Sequence, residues 1–472
     1  HSTSRRQRQM CIRDRIRNWV GQIGDKEFYE ACDRHGIMVW QDFWLANPVD
    51  GPNPYYTEMF NANACDYLKR IRNHPSIGIY VGRNEGNPPA GIDDYLRGLV
   101  SREHPGLYYI SNSAMGVVSG GGPYRALSPK SYFQSYGHDK FHSERGMPNV
   151  MNYESMLLTF GTDKIEPVNT SETPNPVYGL HDYTLGGGKG SSAQAASSFN
   201  DMIEKAFGRP RDAKQFAEWA QWINYDGYRA IFEGRSEHRR GMLLWMSHSA
   251  WPSMVWQTYD YYFDPNAAYF GCKKASEPLH IQWNPLRDDI EVVNYHAFDR
   301  TGLTATASLF NQDGTLQWTR ETKLDIKEDQ TVACFPLEQP ETLSDTYFIK
   351  LSLTDSDGKQ LSDNFYWRGK EDGNYKSLLQ LPKVSVCKNV TVKKTGKEWL
   401  IRAVLKNEAR TPALMLRLKV AGEKSGRMLL PVFYSDNYFS LLPGEVKEVD
   451  IRLYDADTYG EKPVLEVLGF NL

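Results

Sequence analysis

The chain has 472 residues, a formal net charge of −3, and 24% charged and 40% hydrophobic residues. This length predicts two or three domains, and the nearly balanced charge argues against a nucleic-acid or anionic-membrane partner. No apolar stretch approaches the roughly 20 residues of a membrane-spanning helix, so we expect no membrane span.

The cysteines and aromatic residues limit which kinds of site and ligand are expected. The six cysteines show no spacing typical of a zinc site or a disulfide framework. Aromatic residues make up 13% of the chain. Most of them are expected in cores, and the remainder suit a sugar ligand, which offers CH faces and hydroxyl edges to aromatic rings.

The first fifteen residues contain five arginines and no apolar segment of a secretory signal. Their pattern is unrelated to the sequence that follows. We therefore predict that residues 1–15 form a basic tail outside the fold.

From residue 16 to residue 284, short apolar runs alternate with amphipathic segments. The apolar runs predict strands at 36–43, 77–81, 107–113, 132–136, 140–144 and 242–248, and residues 16–19 resemble the remnant of one more. The amphipathic segments predict helices at 59–71, 92–100, 212–235 and 266–280. Continuously apolar strands that alternate with helices indicate an α/β region with a parallel, helix-covered sheet.

After residue 284 the pattern changes to strands separated by tight turns. Asp313-Gly314 and Asp357-Gly358 are strong signals of β-hairpins. A polar stretch at 369–377 separates two such regions. We predict two immunoglobulin-like β-sandwich domains, at 285–370 and 380–472.

Several motifs that would indicate other chemistries are absent or incomplete. The glycine-rich segment at 185–192 lacks the spacing of a phosphate-binding loop, and no GxSxG motif is present. The histidines form no HExxH or HxH pattern. We therefore predict no metal site and no cofactor.

Two carboxylates follow predicted strands directly. Glu85 lies where the strand of the run 77–81 ends and its loop begins, just before Gly86, and Glu144 ends a short strand before Gly146 and Pro148. Each taken alone is more often an ordinary salt-bridged residue. Two of them at strand ends of one sheet, among aromatic residues, are typical of glycoside cleavage, which needs a pair of carboxyl groups.

Several segments resemble the catalytic barrel and C-terminal domains of glycoside hydrolase family two. The similarity is greatest to its branch of exo-β-glucosaminidases, endo-β-mannosidases and β-mannosidases. The segments that carry it are VWQDFW (39–44), RNHPSIGIYVGRNEG (72–86), FHSERGMPN (141–149), YRAIFEGR (228–235), YFGCKKASEPLHIQWN (269–284), SDNFYWRG (362–369) and LPVFYSDNYFSLLPGE (430–445).

The resemblance implies a fold and a set of roles. It implies an N-terminally truncated (β/α)8 TIM barrel at 16–284, lacking its first strand, followed by the two sandwiches. By the same resemblance, Glu85 is the general acid/base, Asn84 hydrogen-bonds the 2-substituent of the sugar, and Glu144 is the nucleophile. A β-linked oligosaccharide or polysaccharide is the implied substrate, and a periplasmic or extracellular location is implied as well.

Other candidate substrate-binding residues lie at strand ends or in aromatic loops. They are Asp42, Trp44, Tyr124, His181, Trp245 and Trp251. Trp245 is either a platform for a sugar ring or a core tryptophan. Arg17, Asn18 and Trp19 resemble the second-strand motif of the family, but NWVGQ stands here where the mannosidases have Trp-Gly-Gly-Gly.

These observations predict a retaining β-glycosidase, with the two carboxyl groups about 5–5.5 Å apart. A β-mannoside or a β-glucosaminide is the preferred substrate. A β-galactosidase-type member of the same family and a non-catalytic carbohydrate-binding barrel protein are the alternatives. Because a barrel without its first strand exposes apolar strand edges, we expect the chain by itself to be poorly soluble and inactive.

Overall fold

The structure is a computed structural model that describes residues 15–21, 24–48, 51–121, 124–135, 140–170, 172–182, 191–237 and 241–472. Its first half contains two parallel sheets. The first has the order β1 (Arg15–Asn18), β2 (Met38–Asp42), β3 (Ile77–Arg83), β4 (Tyr108–Asn112), and the second β5 (Val118–Ser119), β6 (Phe141–Arg145), β7 (Met242–Leu244).

Helices separate and follow these strands. They are α1 (Lys26–His35), α2 (Thr57–Ile71), α3 (Ala90–Glu103), α4 (Pro129–Gln134), α5 (Tyr153–Phe160), α6 (Pro176–Gly179), α7 (Ser191–Phe207), α8 (Ala213–Glu233) and α9 (Ala267–Ala275). In α2 the predicted stripe is the buried face, which includes Phe60, Leu68 and Ile71. α8 begins at Asp212, whose side chain accepts a hydrogen bond from the Gln215 amide at 2.8 Å.

A small apolar cluster joins the two parallel sheets. Trp40, Val81 and Ile110 of the first sheet contact Val118 and Leu243 of the second. Side chains of both parallel sheets therefore pack into one shared core, and the carboxyl ends of β3 and β6 lie on the same side of it.

Two antiparallel sandwiches form the second half. The sheets of the first are β11-β10-β13-β14 and β12-β9-β8, and those of the second are β15-β16-β20-β18 and β19-β17-β21. Their strands are β8 (Leu279–Asn284), β9 (Asp289–Asn294), β10 (Arg300–Asn311), β11 (Leu316–Ile326), β12 (Gln330–Pro336), β13 (Thr346–Thr354), β14 (Gln360–Gly369), β15 (Val386–Thr395), β16 (Glu398–Asn407), β17 (Ala413–Gly422), β18 (Phe433–Tyr434), β19 (Phe439–Leu441), β20 (Val446–Tyr454) and β21 (Pro463–Leu468).

Both sandwiches pack on the helices through one continuous core. Trp222 of α8 stacks on Trp367 of β14 with ring centroids 4.1 Å apart. The same core includes Met415 and Tyr438 of the second sandwich. Polar contacts accompany this packing, since the fully buried Arg229 of α8 donates to Asn364 Oδ1 and to the Phe365 carbonyl. Both C-terminal sandwich domains therefore pack against the helices of the first half.

Some elements differ from the prediction. Within the strand predicted at 132–136, residues 132–134 are the end of α4, because Ser128 caps this helix and Pro129 starts it, and residue 136 lies outside the described residues. The helix predicted at 266–280 ends at residue 275, and β8 pairs with β9, so the first sandwich begins before residue 285. The predicted strand 242–248 is regular only to Leu244. The helices α1, α5, α6 and α7 had not been predicted.

The structure describes only part of the predicted basic tail and only part of the glycine-rich segment. Residues 16–19 do begin as a strand, β1, which also includes Arg15 and pairs parallel to β2. Residues 1–14 of the predicted basic tail lie outside the described residues. The same holds for residues 185–190 of the glycine-rich segment, after which α7 begins.

Candidate active site

The two predicted catalytic carboxylates meet at the carboxyl ends of β3 and β6. Glu85 follows β3 with a positive φ of 47°, and its amide donates to Ser113 Oγ at 2.9 Å. Glu144 is the fourth residue of β6 and is 3% exposed. Their carboxyl groups are within hydrogen-bond reach of each other. A left-handed conformation is uncommon for a glutamate, and here it directs the side chain away from the strand path.

The electrostatic surroundings of Glu144 favour a shared proton. Burial and the charge of Glu85 raise the pKa of Glu144 to about 7, whereas Arg17 and a hydrogen bond from Tyr124 act in the opposite direction. Two neighbouring carboxyl groups ionise together only at a high cost in free energy. The pair therefore retains one proton up to about pH 7.

Arg17 of β1 connects three acidic or amide side chains. Its Nη2 donates to Asp42 Oδ2 and to Asn84 Oδ1, both at 2.7 Å, and its Nη1 lies 3.6 Å from Glu144 Oε1. Asp42 is fully buried, and it also accepts hydrogen bonds from the Trp40 indole and the Val20 amide. Asp42 therefore orients Arg17, and its predicted contact with substrate stays a prediction.

Asn84 is held with its amide oxygen turned into the protein. Arg17 Nη2 donates to Oδ1 at 2.7 Å, and Ser113 Oγ donates to it at 3.2 Å. The remaining polar group of this side chain is the NH2 donor of Nδ2. The family resemblance implied a hydrogen bond between this side chain and the 2-substituent of a sugar, which stays a prediction.

Two glycines permit close approaches around the carboxylates. A Cβ on Gly146 would lie only 1.8 Å from the Trp245 carbonyl oxygen. Gly121 has a positive φ, and a Cβ there would lie 2.9 Å from Glu85 Oε1. A larger residue at either position would displace the backbone that carries Trp245 or the Glu85 carboxyl group.

Four aromatic side chains form a row beside Glu144, which we call the aromatic row. It consists of Tyr124, Trp256, Trp245 and Trp19, with successive ring centroids 5.5, 6.4 and 4.8 Å apart. Tyr124 lies within hydrogen-bond reach of Glu144, and the Trp245 amide donates to the Arg145 carbonyl at 2.8 Å. The predicted residues Tyr124 and Trp245 therefore lie beside Glu144 and Arg145, and Trp256 was not among the predicted residues.

Some of the buried polar atoms without a hydrogen-bond partner belong to residues of this site or to their chain neighbours. Among the described residues, the buried atoms Glu144 Oε1, Arg17 Nη1, Ser143 Oγ, Trp19 Nε1 and Trp256 Nε1 have no hydrogen-bond partner. Buried polar groups are otherwise almost always paired. Donors and acceptors left open next to aromatic rings suit a ligand with several hydroxyl groups.

The remaining predicted residues lie elsewhere. Trp44 packs on Phe60 and Tyr67 of the α2 region, with centroids 6.0 and 5.1 Å apart. His181 stacks on Trp251, 5.7 Å away, and shows no contact with either carboxylate within the described residues. The structure does not bring these three predicted residues to the two carboxylates.

Residues that sequence reasoning missed fall into two groups. Ser113 follows β4 as Glu85 follows β3, so the strand-end rule that selected Glu85 could have selected it as well. Trp256 lies in a long loop, where no periodic pattern marks it. Among the described residues, no group of three His, Cys, Asp or Glu side chains could hold a metal ion, and no helix is long and apolar enough to cross a membrane.

Comparison with known proteins gives glycosidases. A family profile described as the exo-beta-D-glucosaminidase Ig-fold domain matches residues 364–472. The mannosylglycoprotein endo-beta-mannosidase of Lilium longiflorum is 26% identical, over 97% of this chain and 59% of its own length. The exo-beta-D-glucosaminidase of Streptomyces avermitilis is 28% identical, over 96% of this chain and 55% of its own length.

Solved structures show the same architecture. The exo-chitosanase of Amycolatopsis orientalis matches 100% of this chain and 61% of its own, with a TM-score of 0.86 and 24% identity. The β-D-mannosidase of Dictyoglomus thermophilum matches 98% of this chain and 57% of its own, with a TM-score of 0.75 and 20% identity. The chain has the fold of these glycosidases. It spans 55–61% of the length of the four proteins.

Proposed function

We propose that the chain carries the active site of a retaining β-glycosidase, with Glu144 as nucleophile and Glu85 as general acid/base. The observation that supports this most directly is that Glu85 and Glu144 lie at the carboxyl ends of β3 and β6, close enough for the Glu85 charge to raise the pKa of Glu144. Inverting enzymes keep their carboxyl groups about 6.5–9.5 Å apart to admit a water molecule, whereas retaining enzymes place them closer together. We also propose that the two parallel sheets belong to a (β/α)8 barrel, whose carboxyl-end rim carries catalytic residues.

The reaction proceeds in two steps. In the first, a Glu144 oxygen forms a bond to the anomeric carbon while the bond to the leaving oxygen breaks and Glu85 gives that oxygen its proton. In the second, Glu85 removes a proton from water, the water oxygen bonds to the anomeric carbon, and Glu144 is released. The sugar product keeps the β configuration.

The neighbours of each carboxyl group support this division of roles. The Arg17 cation and the Tyr124 hydroxyl both lie at Glu144, where they stabilise the ionised form that attacks. Glu85 has a weaker partner, the Asn47 amide at 3.5 Å. The reaction begins from the arrangement in which Glu144 is ionised and the proton lies on Glu85, as the two roles require.

We propose a β-mannoside or β-glucosaminide as the substrate. The relatives named for these activities match nearly the whole chain, which supports this choice. In the proposed complex the aromatic row contacts the sugar, and the Asn84 NH2 group donates to a 2-hydroxyl oxygen or to an unprotonated 2-amino group. Pockets of this kind discriminate sugars through a few hydrogen bonds to hydroxyl or amino groups.

Two assays test the proposal. A panel of aryl β-mannoside, β-glucosaminide, β-galactoside and β-glucuronide ranks the sugars, and we expect release from one of the first two. Proton NMR of the first product formed should show the β anomer. Binding without release would favour the carbohydrate-binding alternative, preference for the galactoside would overturn the choice of sugar, and an initial α anomer would refute retention.

A further inference from the structure

Two segments of the site fold into one unit. The platform loop, residues 245–266, carries Trp245 and Trp256, and the nucleophile loop, residues 146–152, follows Glu144 directly. Asn266 Nδ2 joins the two, since it donates to the Gln257 carbonyl at 2.9 Å and to Asn149 Oδ1 at 3.3 Å. The Asn149 amide also donates to the Val255 carbonyl. A displacement of either loop would therefore move the other.

Side chains of the second sandwich form hydrogen bonds and ion pairs with these two loops and with α5. Arg417 of β17 donates to Asp264 Oδ2 at 3.2 Å and to Glu154 Oε2 of α5 at 2.8 Å. The Tyr438 hydroxyl donates to Asn152 Oδ1 at 2.7 Å, and Asn152 Nδ2 donates in turn to Asp264 Oδ2 at 2.7 Å. Side chains of the second sandwich therefore contact both the end of the nucleophile loop, at Asn152, and the end of the platform loop, at Asp264.

The contact lies in the interior. The side chains of Arg417 and Asp264 are 12% and 8% exposed, and Tyr438 and Asn152 are buried. Asp264 also holds the platform loop together, because its amide donates to Asp260 Oδ1 at 3.1 Å. Arg417, with Lys419 beside it, is the cation that keeps the pKa of Asp264 from rising further in this buried acidic surrounding.

We propose that Arg417 and Tyr438 are positioning residues of the active site, by which the second sandwich fixes Trp245 and Trp256 relative to Glu144. The inference rests on the proposed function for its kinetic consequence, but the geometry stands independently. It gives the C-terminal domain a role in sugar binding although it contributes no residue to the carboxylate pair. The alternative is an interface that only adds stability.

Two variants of the natural protein test this, Arg417→Met and Tyr438→Phe. Both loosen the loops without touching the carboxylates, so we expect kcat/KM to fall about 10- to 100-fold for Arg417→Met and less for Tyr438→Phe. The rise in KM should exceed the fall in kcat, because the tryptophans hold the sugar. Arg402→Met and Tyr454→Phe, at exposed positions of the same sandwich, are matched controls and should leave both constants unchanged.

A spectroscopic readout separates this inference from the proposed function. The rings of Trp19 and Trp245 lie 4.8 Å apart and those of Trp245 and Trp256 6.4 Å apart, so their coupled near-ultraviolet circular dichroism reports their arrangement. We expect it to change in both variants and in neither control, whether or not the protein cleaves any glycoside. Tyr438→Phe keeps the buried ring and is the decisive variant if Arg417→Met does not fold. Wild-type kinetics and an unchanged spectrum in folded Tyr438→Phe protein would overturn the inference.

Discussion

The Tyr124 hydroxyl is the most informative single group to remove. It lies within hydrogen-bond reach of Glu144, and its ring packs against Trp256 with centroids 5.5 Å apart. In Tyr124→Phe the ring contact remains and only the donor is lost. A hydrogen bond to a charged group contributes about 1.5–3 kcal/mol, which corresponds to roughly a 10- to 100-fold fall in kcat/KM.

The pH dependence gives the sign of the effect. The Tyr124 hydrogen bond lowers the pKa of Glu144 because it favours the ionised carboxylate. Without it the pKa of Glu144 rises further, so the last proton of the pair is lost at higher pH and the alkaline limb of the kcat/KM profile shifts with it. The assay is hydrolysis of the preferred aryl glycoside across pH, with Tyr108→Phe as the matched control on an exposed tyrosine of β4. An alkaline limb that stays in place or moves to lower pH would refute this reasoning.

Three further outcomes follow from the charges in the structure. The pair of Glu85 and Glu144 loses its last proton near pH 7, so kcat/KM of the free enzyme should decline above about that pH. A profile that stays flat to pH 9 would contradict this. Burial and the Asp264 charge raise the pKa of Asp260 to about 7, so ionisation costs stability as pH rises from about 4 to 7. Asp260→Asn should therefore raise the free energy of unfolding by a few kcal/mol at about pH 8 and by almost nothing at pH 3–4, as denaturant titrations would show. Arg229→Met leaves the buried Asp226 with one arginine fewer and should cost about 3–5 kcal/mol, whereas the exposed Arg402→Met should change stability little.

The carboxylate pair could be predicted because parallel strands impose a simple rule. Residues that directly follow such strands meet at one edge, and Glu85 and Glu144 both follow apolar runs. The rule fails for Trp44, because β2 ends at Asp42 and the chain turns at once, with the Leu45 amide donating to the Phe43 carbonyl at 2.8 Å. That turn directs the indole toward α2.

The connections between distant segments could not be predicted. Arg17 reaches Asn84 across 67 positions of sequence, and no local pattern encodes such a contact. Trp256 joins the aromatic row from an irregular loop, where hydrophobic periodicity carries no information. The strand predicted near Tyr132 is wrong for a different reason. Ser128 and Pro129 mark a helix start, and this local signal outweighs the β propensity of the aromatic side chains.

The assignment of Glu144 as nucleophile is the central claim, and covalent trapping tests it most directly. A 5-fluoro β-glycosyl fluoride of the preferred sugar would slow both steps, so that the glycosyl-enzyme intermediate accumulates and can be located by mass spectrometry of peptides. We expect the sugar on Glu144, and no label in Glu144→Gln protein. A label on Glu85 or on any other residue, or hydrolysis without any trapped intermediate, would contradict the account.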